Sequence, residues 1–186
     1  IMGATESLVT THVFDKAGRK TQTRVPGPAG PLTTTISYAL LGAGGLQATT
    51  TAPDGGTTIK KLHRDGKTSA DEGTAQVNKT WTYQVGIDGR VTTTVAEGPR
   101  WSAATADWLG RTVVTTRPTQ AGGTFVETQE YNSFGQLVAT SNTFPGSRAM
   151  RYVYNTLGEK IMEGVDMDNN GSLDLASSDR ITAFDT

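Results

Sequence analysis

Tyr131-Asn132-Ser133-Phe134-Gly135-Gln136 and Tyr154-Asn155-Thr156-Leu157-Gly158-Glu159 share one pattern: an aromatic residue, Asn, two variable residues, Gly and a polar residue. Phe14-Asp15-Lys16-Ala17-Gly18-Arg19 is a third copy, with Asp in place of Asn. The pattern is turn chemistry. An Asp or Asn side chain accepts a backbone N–H two residues on. The Gly takes a positive φ that residues with a Cβ enter only against strain. The aromatic closes one strand and the residues after Gly open the next. A chain built this way is predicted to be a tandem array of β-hairpins.

Anchoring on Gly18, Gly42, Gly66, Gly89, Gly110, Gly135 and Gly158 gives spacings of 24, 24, 23, 21, 25 and 23 residues. That is a period of ~23, the signature of a repeat architecture. Further turn clusters lie between the anchors, among them Pro26-Gly27-Pro28, Pro53-Asp54-Gly55-Gly56 and Pro145-Gly146-Ser147. The central copies are weaker. Ala106 precedes Asp107, Leu62 precedes His63, the Asp88-Gly89-Arg90 copy is offset, and Ala39 follows Tyr38 where an acid belongs. Val77, Lys79, Trp81, Tyr83 and Val85 alternate with Asn78, Thr80, Thr82 and Gln84, as in a half-buried strand. Trp81, Trp101 and Trp108 are expected to pack in a core. No stretch of ten residues carries helical periodicity. The expected fold is all-β: about seven to eight strand-turn-strand repeats over residues 1–186, stacked edge to edge into a curved, extended antiparallel sheet with one apolar and one polar face. Phe184-Asp185-Thr186 reads as the opening of a further repeat.

The composition is rich in strand and turn formers, with 32 Thr and 22 Gly in 186 residues. Charged residues are 19% of the chain and sum to −1, so a basic stripe for nucleic acid is not expected. Without cysteine there is no disulfide framework. No apolar run approaches the ~18 residues of a membrane span. Ile1-Met2-Gly3-Ala4-Thr5 lacks the basic start and apolar stretch of a signal peptide.

The motif, followed by Pro-Gly turns and Thr-rich strands, resembles the YD repeat of the Rhs (rearrangement hotspot) and teneurin-like proteins. The resemblance covers essentially the whole chain and assigns structural roles to Phe14, Asp15, Gly18, Tyr131, Asn132, Gly135, Tyr154, Asn155 and Gly158. In that family the repeats form one long sheet that spirals into a hollow shell, which can enclose a toxic C-terminal polypeptide; eukaryotic relatives serve adhesion. The resemblance implies a non-enzymatic segment of a large bacterial protein, secreted or on the cell surface. Its partners would be the remaining repeats and an enclosed toxin or effector. The alternative is a surface module that binds carbohydrate or protein.

One stretch departs from the rhythm. Tyr154 and Phe184 lie 30 residues apart, and residues 162–183 read as an insertion. Asp166, Asp168, Asn170, Gly171 and Asp174 fall at positions one, three, five, six and nine of a calcium-type loop. Ser177 stands where the position-twelve acid belongs, and Asp179 is its expected substitute. Two readings compete: a solvated turn that lengthens one repeat, and a calcium site with Asp166, Asp168, Asn170, Asp174 and Asp179 as its ligands. No catalytic set is assigned. Ser7, His12 and Asp15 lack a nucleophile elbow, Asp71-Glu72 reads as a solvated turn pair, and Gly42-Ala43-Gly44-Gly45 lacks the Lys-Ser/Thr ending of a phosphate loop.

Overall fold

The computed structural model describes residues 9–184. They form fifteen strands and, among the described residues, no helix, so none is long and apolar enough to cross a membrane. The first seven are β1 (Thr11–Phe14), β2 (Lys20–Val25), β3 (Leu32–Leu40), β4 (Leu46–Thr51), β5 (Thr57–Leu62), β6 (Thr68–Glu72) and β7 (Lys79–Val85). The other eight are β8 (Val91–Glu97), β9 (Arg100–Ala106), β10 (Thr112–Pro118), β11 (Thr124–Tyr131), β12 (Leu137–Asn142), β13 (Met150–Tyr154), β14 (Lys160–Val165) and β15 (Arg180–Ala183). Strand order follows sequence order in one unclosed antiparallel sheet, most neighbours being joined by short hairpins.

Contacts divide the chain into two units, Ile1–Trp81 with Ala96–Gly98 and Thr82–Val95 with Pro99–Thr186. In the first, Thr residues pair across strands, as in the run Thr35, Thr51 and Thr57. β-branched side chains suit this pleated, half-exposed surface. Lys61 and Glu72 form a 2.7 Å ion pair across β5 and β6.

In the second unit, register separates two faces. Trp101, Ala103, Val114, Val126, Ala139, Val153, Met162 and Ile181 share one. Phe125, Tyr131, Tyr152 and Tyr154 stand on the other, among Thr, Glu and Gln. The expected division into an apolar and a polar face therefore becomes a mainly aliphatic face that also carries Trp101 and Arg151, and one that mixes aromatic with polar residues.

Burial is slight. Among the described residues the buried apolar side chains are Ala70, Phe125 and Ala139. The expected tryptophan core does not form. Trp108 sits on a turn, 80% exposed, while Trp81 and Trp101 are half-buried on strands. Burying a sheet face needs a second layer of structure, and within each unit the described residues supply one layer. Phe125 is covered locally, by Phe144 at 4.8 Å between centroids and by the Arg117 guanidinium at 4.6 Å.

Candidate functional site

The turns that follow the odd-numbered strands are one structure repeated seven times. Each spans five residues, starting at Asp15, Leu41, His63, Gly86, Asp107, Asn132 and Asn155. In each, the first N–H donates to the fifth carbonyl, and the fourth N–H donates back to the first carbonyl, at 2.8–3.0 Å. The fourth residue is always Gly with φ between +75° and +88°. This is a type I turn closed by a glycine bulge, the usual three-residue hairpin loop. The geometry corrects one anchor: the positive-φ glycine of the second turn is Gly44, not Gly42. Tyr38 consequently lies two residues further up its strand than the other motif aromatics.

The acid has two solutions to one problem, the N–H of the fifth residue. At the first position, Asp15, Asp107, Asn132 and Asn155 each accept it through Oδ1 at 2.9–3.0 Å. At the third position, Asp65 accepts from Lys67 and Asp88 from Arg90, both at 3.1 Å. Two of the copies that look degraded in sequence, the turns starting at His63 and Gly86, have moved the acid within the same turn. The remaining side-chain atom selects its partner. Asp15 Oδ2 and Asp107 Oδ2 each take an Arg guanidinium, Arg19 and Arg111, at 2.7 Å. Asn132 Nδ2 and Asn155 Nδ2 instead donate to Gln136 Oε1 and Glu159 Oε2, at 2.7 and 2.8 Å. The Arg19 N–H, then its guanidinium, holds Asp15 below the ordinary carboxylate pKa. Burial opposes the same effect at Asp107, but Arg111 outweighs it.

This pairing rule makes a prediction. Asn155→Asp sets two carboxylates against each other and should destabilise by about 1 kcal/mol in low salt. Adding Glu159→Arg should restore stability, because the turn then carries the Asp107–Arg111 pairing. A double-mutant cycle by urea unfolding reads the result.

Aromatics tie three of these turns to the one before. Tyr38, Tyr131 and Tyr154 donate their hydroxyls to the carbonyls of Lys20, Thr112 and Leu137, at 3.1, 3.2 and 2.9 Å. Each acceptor directly follows an odd turn. Arg19 stacks on Tyr38 at 4.5 Å and Arg111 on Tyr131 at 4.6 Å. Lys160 Nζ lies over the Phe184 ring at 5.0 Å; Asp185 and Thr186 lie outside the described residues.

The departure from rhythm is a loop at residues 166–179, between β14 and β15; residues 162–165 and 180–183 belong to those strands. Carboxylate oxygens of Asp166, Asp168 and Asp179 come within 4.8 Å of one another. Asn170 joins the cluster, donating to Asp168 Oδ2 and Asp174 Oδ2, both at 3.0 Å. All five expected ligand residues are thus brought together. Asp166 is fully buried, and its carboxylate is occupied: Oδ2 accepts Arg151 Nε at 2.8 Å and the Gly171 N–H at 3.0 Å, while Oδ1 accepts the Asn170 N–H at 3.1 Å. Asp179 accepts the N–H groups of Met167 and Asp174, at 2.8 and 3.0 Å. Arg151, chiefly, depresses the Asp166 pKa, and the Asp174 N–H leads the same effect at Asp179. The donor set is the hard-oxygen type calcium takes, but it is satisfied by Arg151, backbone N–H groups and the Asn170 side-chain amide.

The other candidates separate. His12 pairs with Thr23 Oγ1 at 3.2 Å on an exposed strand, and Ser7 lies outside the described residues. Asp71 and Glu72 lie in β6 rather than in a turn. As strand neighbours they point to opposite faces and cannot share one reacting centre. An open cleft of about 610 Å³ lies beside Trp108, with Asp88, Arg90, Asp107, Arg111 and Tyr131 in its lining.

No protein-family model matches the chain, and no curated protein matches it. Among solved structures, the chain is similar to one in a crystal structure of TcdB2-TccC3-TEV, at 12% identity and a TM-score of 0.23, over 84% of its own length. It spans 11% of that chain.

Proposed function

We propose that the chain is a non-enzymatic wall segment of a larger secreted or surface-exposed Rhs/YD-repeat protein, one that encloses or presents a toxin or effector. The observation that carries this reading is the recurrence of one turn after every odd-numbered strand from β1 to β13, with aromatic hydroxyls linking three of these turns to their predecessors. Such a module adds length to a sheet without changing its local chemistry, as a wall requires and a catalytic site does not. Limited proteolysis of the full-length polypeptide tests it. The segment following the repeats should resist cleavage until the sheet is denatured; a segment cut freely in the native protein would count against enclosure. The exposed Trp108 beside its cleft favours a second reading, adhesion to a glycan or protein surface. Trp108→Ala should then abolish glycan-array binding.

Calcium at the 166–179 loop is a separate proposal, supported by the converging carboxylates. The ion would compete with Arg151 for Asp166. Millimolar calcium should raise the melting temperature, and Asp166→Ala with Asp168→Ala should remove the rise. Identical melting curves in calcium and in chelator would retire the idea.

A further inference from the structure

In the second unit, four successive odd turns carry large apolar side chains at their tips. Ile87 and Trp108 occupy the second turn position, and Leu109, Phe134 and Leu157 the third. They are 54 to 110% exposed. The tips of the first unit carry Lys16-Ala17, Gly42-Ala43 and Arg64-Asp65 at the same positions, so the hairpin itself does not demand apolar tips. The tips are neighbours. Gln136 Nε2 donates to the Gly158 carbonyl at 3.0 Å, an added Cβ at Gly135 would lie 3.2 Å from an Arg111 guanidinium nitrogen, and Asp88, Arg90, Trp108 and Arg111 line one cleft. Strands ~4.8 Å apart put successive tips ~10 Å apart, so the ridge runs ~30 Å along the rim.

We propose that this ridge is an interface between two copies of the chain, with the tips of one seated between the tips of the other. Three features favour a second copy. The five side chains expose on the order of 700 Å², close to the ~800 Å² each partner contributes to a standard interface. A second copy has the same pitch by construction. Charge opposes the contact little: Asp107 is neutralised by Arg111 within its turn, Asp88 by Arg90 at 3.4 Å, the Asn132–Gln136 turn is uncharged, and one acid, Glu159, has no cation in its turn and is held by Asn155 Nδ2 at 2.8 Å.

Sedimentation of the 186-residue chain across micromolar concentrations tests the interface. A dimer is expected. Phe134→Ser with Leu157→Ser should weaken it more than ~10-fold, since apolar anchors carry most interface energy. Leu175→Ser, at an exposed residue of the 166–179 loop, should leave it unchanged. Circular dichroism and the unfolding midpoint establish that the variants fold. If the first pair perturbs folding, Ile87→Ser with Trp108→Gln repeats the test on the other two tips. A monomer throughout the range overturns the proposal, even if an amphipathic helix of another protein is later found on the ridge. A dimer unmoved by both tip pairs also overturns it, and assigns association to the strand edges.

Discussion

Gly45→Ala is expected to destabilise the chain by roughly 2–3 kcal/mol, the range of overpacking in a closed site. Gly45 is buried at the fifth position of the 41–45 turn. A Cβ there would fall inside the van der Waals shell of the Leu62 carbonyl oxygen, with Leu62 C at 3.3 Å and Leu41 Cδ1 at 3.5 Å. The obstacle is backbone held in the β4–β5 ladder, where Leu46 pairs with Leu62, so no rotamer change relieves it. In a chain of this length the loss corresponds to a melting temperature lower by roughly 5–10 °C. The same turn supplies its controls. Gly42 has open space around its Cβ position, and Gly42→Ala should be neutral or stabilise by about 0.5 kcal/mol. Gly44, at φ +81°, has no backbone in the way but an unfavourable conformation, and Gly44→Ala should cost about 1 kcal/mol. Equal effects at Gly42 and Gly45 would contradict the packing argument.

Asp166→Asn should produce the largest change in the pH dependence of the second unit. The carboxylate accepts three hydrogen bonds while fully buried, and Arg151 is the leading cause of its lowered pKa. A group with a depressed folded pKa contributes stability that is present above the unfolded value, near 4 for Asp, and is lost as pH falls through the folded value. Wild type should therefore hold its melting temperature from neutral pH down to about pH 4 and lose it below. Asp166→Asn should melt lower at pH 7, because the amide leaves Arg151 without its counter-charge, and should lose less on acidification. Asp15, Asp65, Asp107 and Asp179 are shifted in the same direction and will leave a residual acid transition. Melting curves parallel to wild type at every pH would dismiss the role given to Asp166.

The turn was readable where its acid and aromatic kept their usual places, at Phe14, Tyr131 and Tyr154. It was harder to read at Asp65 and Asp88 because the backbone needs only an oxygen near the fifth N–H, and two turn positions supply one. The Gly42 anchor failed for a related reason. In Gly42-Ala43-Gly44-Gly45 composition does not identify which glycine takes positive φ; the hydrogen-bond closure does. The exchange of Asp–Arg for Asn–Gln and Asn–Glu four residues apart lay open in the sequence as a donor–acceptor swap. The acidic loop was located by its spacing, but Arg151 was not. It reaches Asp166 from β13, opposite Gly164, and only the register of the β13–β14 hairpin brings the two together. The tryptophan core was overestimated because alternation identifies a half-buried strand without revealing whether a second layer covers it.

Because every strand bonds only to its neighbours in sequence, no described ladder requires distant parts of the chain to meet before it forms. Loop closure is short and the contact order is low, conditions under which folding is fast and can begin at any hairpin. The chain can therefore acquire structure one hairpin at a time as it leaves the ribosome. In the 186-residue chain taken alone, amide hydrogens should exchange faster in β1 and β15, each paired on one side, than in strands paired on both.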